Sequence, residues 1–353
     1  MTRKKKALVI AGVLIAAIAL FLGVNHELTR VVWHNLTAKK IKLDDSQDWS
    51  GGMSYEKLQY SDVSESDYLD LYVPDSGEKM PLFVLIHGGG FMFGDSQTRQ
   101  AQFMYRYFRN QGYACASVNY RLAQEEPFPG AVEDVKAAIR FLKANADKYR
   151  YDADRVAVWG ESAGGYLCTM AGVTTDEDFH GVKFIGEDEL AEPVSADVDV
   201  IVNFYGCEQF GTMEEQFGQL GIPKLIRSVA NMWLEQGLKE YDAEEYTSME
   251  GFWLRKELDQ CTPEELDQTS PFYFIEKNLD QNSDKHMVIW HGDADITVPW
   301  YQSRDLQETM AETVGEDKVQ FKLFRNLGHA ADMFYSDESL FEIKEYLDKI
   351  FGR

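Results

Sequence analysis

The feature that most constrains the fold is a regular alternation of short apolar runs with helical patterns over most of the 353 residues. Several runs, such as LFVLI at 82–86, are continuously apolar, which is typical of strands covered on both faces. Strands that alternate with helices predict an α/β fold with a mostly parallel sheet and with ligands at the carboxyl ends of the strands. The predicted strands cover residues 54–60, 68–73, 82–86, 113–118, 155–159, 198–204, 287–290 and 319–324. The predicted helices cover residues 99–111, 132–142, 162–173, 300–314 and 337–351.

The first 24 residues have the pattern of a membrane anchor. Basic residues at positions 3–6 precede an uncharged apolar run at 7–24, which as a helix would reach about 27 Å, close to the ~30 Å of a bilayer core. The positive-inside tendency predicts a single-pass segment with the remaining chain outside the cell. A secretory signal is the alternative, because 17–19 (AIA) resembles a cleavage site. Residues 25–50 are predicted to be a polar connector.

The charge of the chain excludes some partners. Lys and Arg number 35 against 59 Asp and Glu, so the net charge is −24. Such a surface repels phosphate backbones and anionic lipid surfaces, and we expect no nucleic-acid partner and no membrane contact beyond residues 7–24. Maintaining solubility is an alternative reason for the charge. The seven histidines form no HExxH pattern and no cluster with cysteines, so no metal site is expected.

A serine lies where a strand meets a helix. Gly160-Glu161-Ser162-Ala163-Gly164 follows the strand predicted at 155–159 and opens the helix predicted at 162–173. A sharp turn of this kind exposes the hydroxyl of Ser162 at the carboxyl end of the strand, as a nucleophile requires. A glycine-rich structural turn is the alternative, since GxSxG alone is a weak signal.

A run of three glycines follows another strand. His87-Gly88-Gly89-Gly90 comes directly after 82–86, and such a loop can direct backbone N–H groups at developing negative charge. We predict an oxyanion hole made by the amides of Gly89, Gly90 and Ala163. A phosphate-binding loop is the alternative, but the Lys-Ser/Thr of a P-loop is missing.

An acid and a base that could activate Ser162 follow it in the order that this architecture requires. The strand at 287–290 leads into HGDADITVP, where Asp295 is the predicted acid and Asp293 is the alternative. The strand at 319–324 leads into His329, the predicted base. A hydroxyl is a weak nucleophile until a neighbouring base takes its proton and an acid orients that base.

Residues 207–268 interrupt the alternation, since they contain no convincing strand and many aromatic residues. We predict a helical insertion that forms a lid over the site, because it leaves the sheet at the carboxyl end of a strand. The alternative is that its aromatic residues only pack as core. The candidate substrate contacts are Phe91, Glu161, Phe217, Trp233 and Trp253.

These motifs together resemble a known family. The run LFVLIHGGGFMFGD, the tetrapeptide NYRL at 119–122, FPGAVEDVKAAIRFLKANA, DRVAVWGESAGG, HGDADITVP and Gly328-His329 are similar to the acetyl esterase/lipase group of α/β-hydrolases. That group includes hormone-sensitive-lipase-like and feruloyl-esterase-like carboxylesterases. The resemblance covers about 54–352 and is weak at 174–197 and 207–268. It implies an α/β-hydrolase fold, esterase activity, a triad of Ser162, Asp295 and His329, and no cofactor.

The sequence thus predicts a catalytic domain at 51–353 that hydrolyses carboxylic esters through an acyl-serine intermediate. Short acyl esters or acylated carbohydrates are the expected substrates. A serine peptidase or amidase of the same fold is the first alternative, because the acyl-enzyme step also serves amides. A catalytically inactive binding module on this fold is the second.

Overall fold

A computed structural model describes residues 26–41, 52–224, 227 and 232–353, with the backbone alone at 26–28 and 233–235. Eight strands form a single sheet. In chain order they are β1 Gly52–Gln59, β2 Tyr68–Pro74, β3 Pro81–Ile86, β4 Ala114–Val118, β5 Asp152–Glu161, β6 Val200–Phe204, β7 His286–Gly292 and β8 Val319–Phe324.

The sheet has the strand order β1-β2-β4-β3-β5-β6-β7-β8. β1 pairs with β2 and β2 pairs with β4 in antiparallel fashion. All other neighbours are parallel. The carboxyl ends of β5, β7 and β8 therefore lie at one edge of the sheet, and that edge is where ligands bind in open α/β sheets.

Helices cover both faces of the sheet. The α-helices are α1 His26–Leu36, α2 Arg99–Asn110, α3 Gly130–Ala144, α4 Ala146–Tyr149, α5 Ala163–Val173, α6 Met213–Gln219, α7 Met232–Glu240, α8 Met249–Leu254, α9 Pro263–Asp267, α10 Pro271–Lys277, α11 Leu279–Asn282, α12 Tyr301–Val314 and α13 Asp337–Phe351. Short 3₁₀ turns occur at Glu187–Glu189, Phe210–Thr212, Leu258–Gln260, Glu316–Lys318 and Asp332–Tyr335.

The core has two layers because strand side chains alternate between faces. Along β3, Val84 and Ile86 pack into one apolar cluster with α3 and α5, whereas Phe83 and Leu85 pack into the other, with α2 and α13. Every residue of β3 is buried. The central strands are thus covered on both faces, which is why their sequences read as continuous apolar runs.

The predicted α/β fold, with eight strands and a mostly parallel sheet, is confirmed. The described residues of the insertion 207–268 contain helices and no strand, as predicted. The polar connector predicted at 25–50 contains helix α1, which the sequence did not predict. This helix is short, and contacts with distant residues stabilise it, so its sequence signal is weak.

The predicted membrane segment at 7–24 lies outside the described residues. Among the residues that are described, we find no helix that is both long and apolar enough to cross a bilayer.

Candidate active site

Ser162 lies on a strained turn between β5 and α5. Its φ is 55° and its ψ −123°, a conformation that costs a non-glycine residue about 1–3 kcal/mol and is found mainly at functional sites. The turn can be this tight because Gly160 and Gly164, on either side of Ser162, have no side chains. A Cβ on Gly160 would lie 1.9 Å from the carbonyl oxygen of Gly164, and a Cβ on Gly164 would lie 2.3 Å from that of Ile86. The GxSxG spacing therefore fits this backbone, and Ser162 is left partly accessible.

The structure brings Ser162, His329 and Asp295 together. His329 Nε2 is 2.9 Å from Ser162 Oγ, and His329 Nδ1 is 2.7 Å from Asp295 Oδ2. Because a carboxylate only accepts, the proton of the neutral imidazole lies on Nδ1, and Nε2 is free to accept the serine proton. This is the arrangement that a serine nucleophile and its general base require.

The acid loop, residues 292–298, holds Asp295 as a carboxylate. The Oδ1 atom accepts hydrogen bonds from the backbone amides of Thr297 and Val298, at 2.8 and 2.9 Å. The side chain is buried, and burial alone would raise its pKa. The charge of His329 and hydrogen bonds from His291 and His329 outweigh burial and hold the pKa well below its usual range. Asp295 therefore stays negative wherever His329 changes charge.

The alternative acid, Asp293, lies elsewhere. Its Oδ1 atom accepts hydrogen bonds from Arg30 Nη1 at 2.8 Å and from the amide of Asn326 at 2.6 Å. These contacts join helix α1 to the base loop, residues 325–329, whereas the imidazole of His329 pairs with Asp295.

The pKa of His329 reflects competing effects. Burial alone would lower it, whereas the charge and hydrogen bond of Asp295, together with the charge of Glu161, raise it. The net result is a pKa above the ordinary value of histidine. Such a shift stabilises the imidazolium that forms when His329 takes the serine proton.

The glycine loop, residues 87–90, follows β3 and has a backbone conformation that favours glycine. Gly89 and Gly90 have φ values of 114° and 60°, and a Cβ on Gly89 would lie 2.1 Å from the carbonyl oxygen of Phe93. Ala163 opens helix α5, where the first amides have no acceptor within the helix. β3 and β5 are parallel neighbours, so the glycine loop and the turn that carries Ser162 and Ala163 follow adjacent strands at the same end of the sheet.

His87 fixes this loop from inside. It is fully buried, stacks on Tyr120 at 4.3 Å between ring centroids, and bonds the carbonyl of Gly88 through Nδ1 at 2.7 Å. Burial lowers its pKa to about 4, so His87 is neutral at physiological pH.

Glu161, predicted as a substrate contact, is buried beneath the site. Its Oε1 atom accepts a hydrogen bond from the amide of Gly88 at 3.1 Å, which joins the turn that carries Ser162 to the glycine loop. Burial raises its pKa despite the opposing effects of His329, Gly88 and Tyr205. These contacts point to a positioning and electrostatic role.

Two residues near the triad were not predicted. His291 lies 3.2 Å from Asp295 Oδ2 and 3.1 Å from the carbonyl oxygen of Val298 through the same Nε2 atom, which therefore carries a proton. Tyr205 packs its ring 4.8 Å from that of His329 and bonds the hydroxyl of Tyr335. The signal for His291 was its position four residues before the acid. The signal for Tyr205, its position directly after the end of β6, is weaker.

The insertion packs on the glycine loop. Trp253 stacks on Phe91 with ring centroids 3.9 Å apart and planes 1° from parallel, and both are buried. A Cβ on Gly90 would lie 2.1 Å from the terminal methyl group of Met249. Helix α8, which carries Met249 and Trp253, thus lies directly over the predicted oxyanion hole.

The other predicted contacts in the insertion lie in different places. Phe217 is buried in a small cluster with Val31, Ile222, Ala294 and Ile296. It therefore packs on the acid loop, outside the cluster that holds Phe91. Trp233 belongs to α7, and its side chain lies outside the described part of the chain.

Within the described ranges, no group of three or more His, Cys, Asp or Glu side chains is arranged to hold a metal ion.

The family model described as BD-FAE matches residues 69–310, more than half of the chain. The chain belongs to the BD-FAE family. The match includes Ser162 and Asp295 of this BD-FAE chain and ends before His329. The resemblance to esterases of the α/β-hydrolase fold, predicted from the motifs, is therefore confirmed at the level of family.

Relatives of the BD-FAE chain include proteins named as an esterase and as a deacetylase. Esterase LipC of Mycobacterium tuberculosis is 26% identical over 253 residues, which are 72% of this chain and 53% of that protein. Arylacetamide deacetylase-like 2 of Homo sapiens is 36% identical over 120 residues, 31% of this chain and 30% of that protein. The chain spans about half the length of the mycobacterial relative.

Solved structures share the fold. A truncated carbohydrate esterase from gut microbiota has a TM-score of 0.66 at 21% identity and covers 86% of this chain and 98% of its own. The propionate-bound esterase Est2 of Thermogutta terrifontis has a TM-score of 0.59 at 20% identity, and the match covers 87% of this chain and 97% of that one. At such identities the likeness establishes the α/β-hydrolase fold of the BD-FAE chain.

Proposed function

We propose that this protein is a serine carboxylesterase that hydrolyses carboxylic esters through an acyl-Ser162 intermediate. The observation that carries the proposal is the hydrogen-bonded series Ser162 Oγ–His329 Nε2 at 2.9 Å and His329 Nδ1–Asp295 Oδ2 at 2.7 Å. The glycine loop beside it supplies amides for a tetrahedral oxyanion.

The steps follow from these positions. Ser162 Oγ attacks the ester carbonyl while His329 Nε2 takes its proton, and the amides of Gly89, Gly90 and Ala163 stabilise the oxyanion. The imidazolium then gives the proton to the departing alcohol, which leaves an acyl-serine. Water, deprotonated by the same imidazole, attacks the acyl carbonyl and releases the acid and Ser162. Asp295 remains a carboxylate throughout.

Neutral esters with short acyl groups, including acylated carbohydrates, are the proposed substrate class. Helix α8 stacks the ring of Trp253 on Phe91, the residue directly after the glycine loop, and both rings are buried. The net charge of −24 disfavours anionic substrates. One structure of similar fold is a carbohydrate esterase.

The decisive experiment compares wild type with Ser162→Ala on an activated aryl acetate. We expect a burst of alcohol release equal to the enzyme concentration in wild type and loss of turnover in the variant. Turnover retained in Ser162→Ala would refute the proposal. A peptide anilide of matched size tests the peptidase or amidase alternative, which predicts the higher kcat/KM on the anilide.

A catalytically inactive binding module is the remaining alternative. A serine-reactive phosphonate distinguishes it, because a working triad is labelled at Ser162 in a one-to-one ratio. An unlabelled protein with intact fold would favour the binding module.

The proposed location is the outer face of a membrane, with residues 7–24 as the anchor. Secretion after cleavage is the alternative. Membrane fractionation of cells that express the full chain separates the two, since an anchored protein stays with the membranes after an alkaline wash.

A further inference from the structure

Helix α1 lies against the two loops that carry the acid and the base. Its contacts fall on residues just before and after Asp295 and on residues before His329. The acid loop and the base loop are themselves joined, because the amide of Ala294 donates to the carbonyl of Leu327 at 3.0 Å. An element that holds both loops can set the distance between the acid and the base.

The first contact is a three-residue polar junction. Arg30 Nη1 lies 2.8 Å from Asp293 Oδ1 and 2.8 Å from Asn326 Oδ1. The amide of Asn326 also donates to Asp293 Oδ1, at 2.6 Å. The side chains of Arg30 and Asp293 are 21% and 20% exposed, so the ion pair is largely shielded from solvent. Arg30 thus joins helix α1 to both loops through one guanidinium.

The second contact is made five residues further along the helix, by Asn35. Asn35 Nδ2 donates to the carbonyl of Ala294 at 2.8 Å and to that of Val31 at 2.9 Å. A Cβ on Gly328 would lie 2.3 Å from Asn35 Oδ1. Asn35 therefore touches the residue before the acid and the residue before His329.

The third contact is apolar. Val31 is 4% exposed and packs with Ala294 and Ile296, the two neighbours of Asp295. One side of helix α1 thus faces the loops, through Arg30, Val31 and Asn35. Trp33 lies on the other side of the helix and is 63% exposed.

We propose that helix α1 positions the Asp295–His329 pair, with Arg30 and Asn35 as positioning residues that act through the acid and base loops. This inference rests on the proposed function of Ser162, Asp295 and His329 as a triad. Misplacement of a reacting group by about 1 Å can cost roughly 10²-fold in rate. A helix that fixes both loops can therefore affect turnover without touching the substrate.

The test compares two charge-matched variants of the full chain, Arg30→Gln and Lys39→Gln. Both remove one positive charge, but Lys39 is exposed and lies beyond the end of α1. Both variants and wild type are first shown to be folded by circular dichroism. The values of kcat and KM on a neutral aryl acetate are then measured across pH. We expect a fall in kcat of roughly 10-fold for Arg30→Gln, by the same geometric argument, with KM nearly unchanged.

The pH profile separates positioning from general stability. The groups that face His329 are Asp295, Glu161 and the ring of Tyr205, and the two carboxylates raise its pKa. A looser Asp295–His329 contact lowers this pKa, so the acid limb of the profile moves to lower pH in Arg30→Gln. Loss of stability alone leaves that limb in place.

Arg30→Lys keeps a positive charge opposite Asp293 without the forked guanidinium, and we expect an intermediate kcat. In Arg30→Gln/Asp293→Asn, the two losses are expected not to add, because the residues act through one contact. A kcat and an acid limb equal to those of Lys39→Gln would overturn the inference. Ser162→Ala runs in parallel: if it keeps turnover, the proposed function itself fails, whereas an inactive Ser162→Ala beside an unaffected Arg30→Gln rejects the positioning role alone.

Discussion

At the scale of single residues, two aspartates only two positions apart in the sequence have different partners in the site. Asp295 accepts from His329, and Asp293 accepts from Arg30 and Asn326. The sequence HGDAD does not distinguish them, because both residues follow the same strand. Their different partners come from the path of the acid loop.

Asp295→Asn is expected to keep the fold and lower kcat by roughly 10⁴-fold, because the amide favours the wrong imidazole tautomer. Asp293→Asn should lower kcat far less, by no more than Arg30→Gln does, since it affects only the junction with helix α1. Steady-state kinetics of both variants on one aryl ester measure this. A larger loss in Asp293→Asn would reverse the assignment of the acid.

A second prediction concerns the buried carboxylate beside the nucleophile. The charge of Glu161 raises the pKa of His329, and turnover needs the neutral imidazole. Activity should therefore fall as the pH drops through a value above the usual ~6.5 of histidine. Glu161→Gln should move this fall to lower pH, while its amide oxygen can still accept from Gly88.

The measurement is the pH dependence of kcat/KM, which reports the free enzyme. Glu189→Gln removes the same charge from an exposed turn and serves as the control. If both variants show the wild-type acid limb, Glu161 has no electrostatic influence on the base.

At the scale of elements, the strands and the turn that carries Ser162 could be predicted because their sequence signals are local. The apolar run of β3 reflects its complete burial. The glycines around Ser162 are required by the neighbouring backbone, since a Cβ on Gly160 would lie only 1.9 Å from the carbonyl oxygen of Gly164. Helix α1 was missed because distant residues such as Asp293 stabilise it. The contacts of the insertion could not be ranked from sequence for the same reason: Trp253 meets Phe91 only after long-range docking.

The docking of helix α8 leads to a prediction for acyl specificity. Trp253→Leu removes the ring that stacks on Phe91, so the space over the glycine loop should enlarge. We expect a higher KM for acetate esters and a shift of about 10-fold in relative kcat/KM toward longer acyl groups, the scale of a one-methylene discrimination. A series of aryl esters from acetate to octanoate measures the shift.

Met232→Ala is the control for this series, since Met232 belongs to the same insertion and is 62% exposed. Both variants should react with a small phosphonate at the wild-type rate. An unchanged chain-length profile in Trp253→Leu would mean that α8 does not contribute to the acyl pocket.

At the scale of the whole molecule, the net charge of −24 acts on substrates before they bind. A field of this sign lowers the local concentration of anionic esters and leaves neutral ones unaffected. Neutral esters should therefore have the higher kcat/KM at low ionic strength. The difference should shrink as salt shortens the Debye length to about 8 Å at 0.15 M.

Matched pairs of esters that differ only in a remote carboxylate, assayed at several salt concentrations, measure this effect. Faster turnover of the anionic member at low salt would mean that a local positive site outweighs the overall field.

The contact between Arg30 and Asp293 also has a consequence for the biosynthesis of the protein. The two residues are 263 positions apart. At about 5–20 residues per second, translation takes roughly 13–50 s to deliver Asp293 after Arg30 has been made. During that interval the loops on which helix α1 docks do not yet exist. Completion of the site is therefore among the last events in the synthesis of the chain, and a ribosome that stalls before residue 293 leaves the nucleophile without acid, base or helix α1 in place.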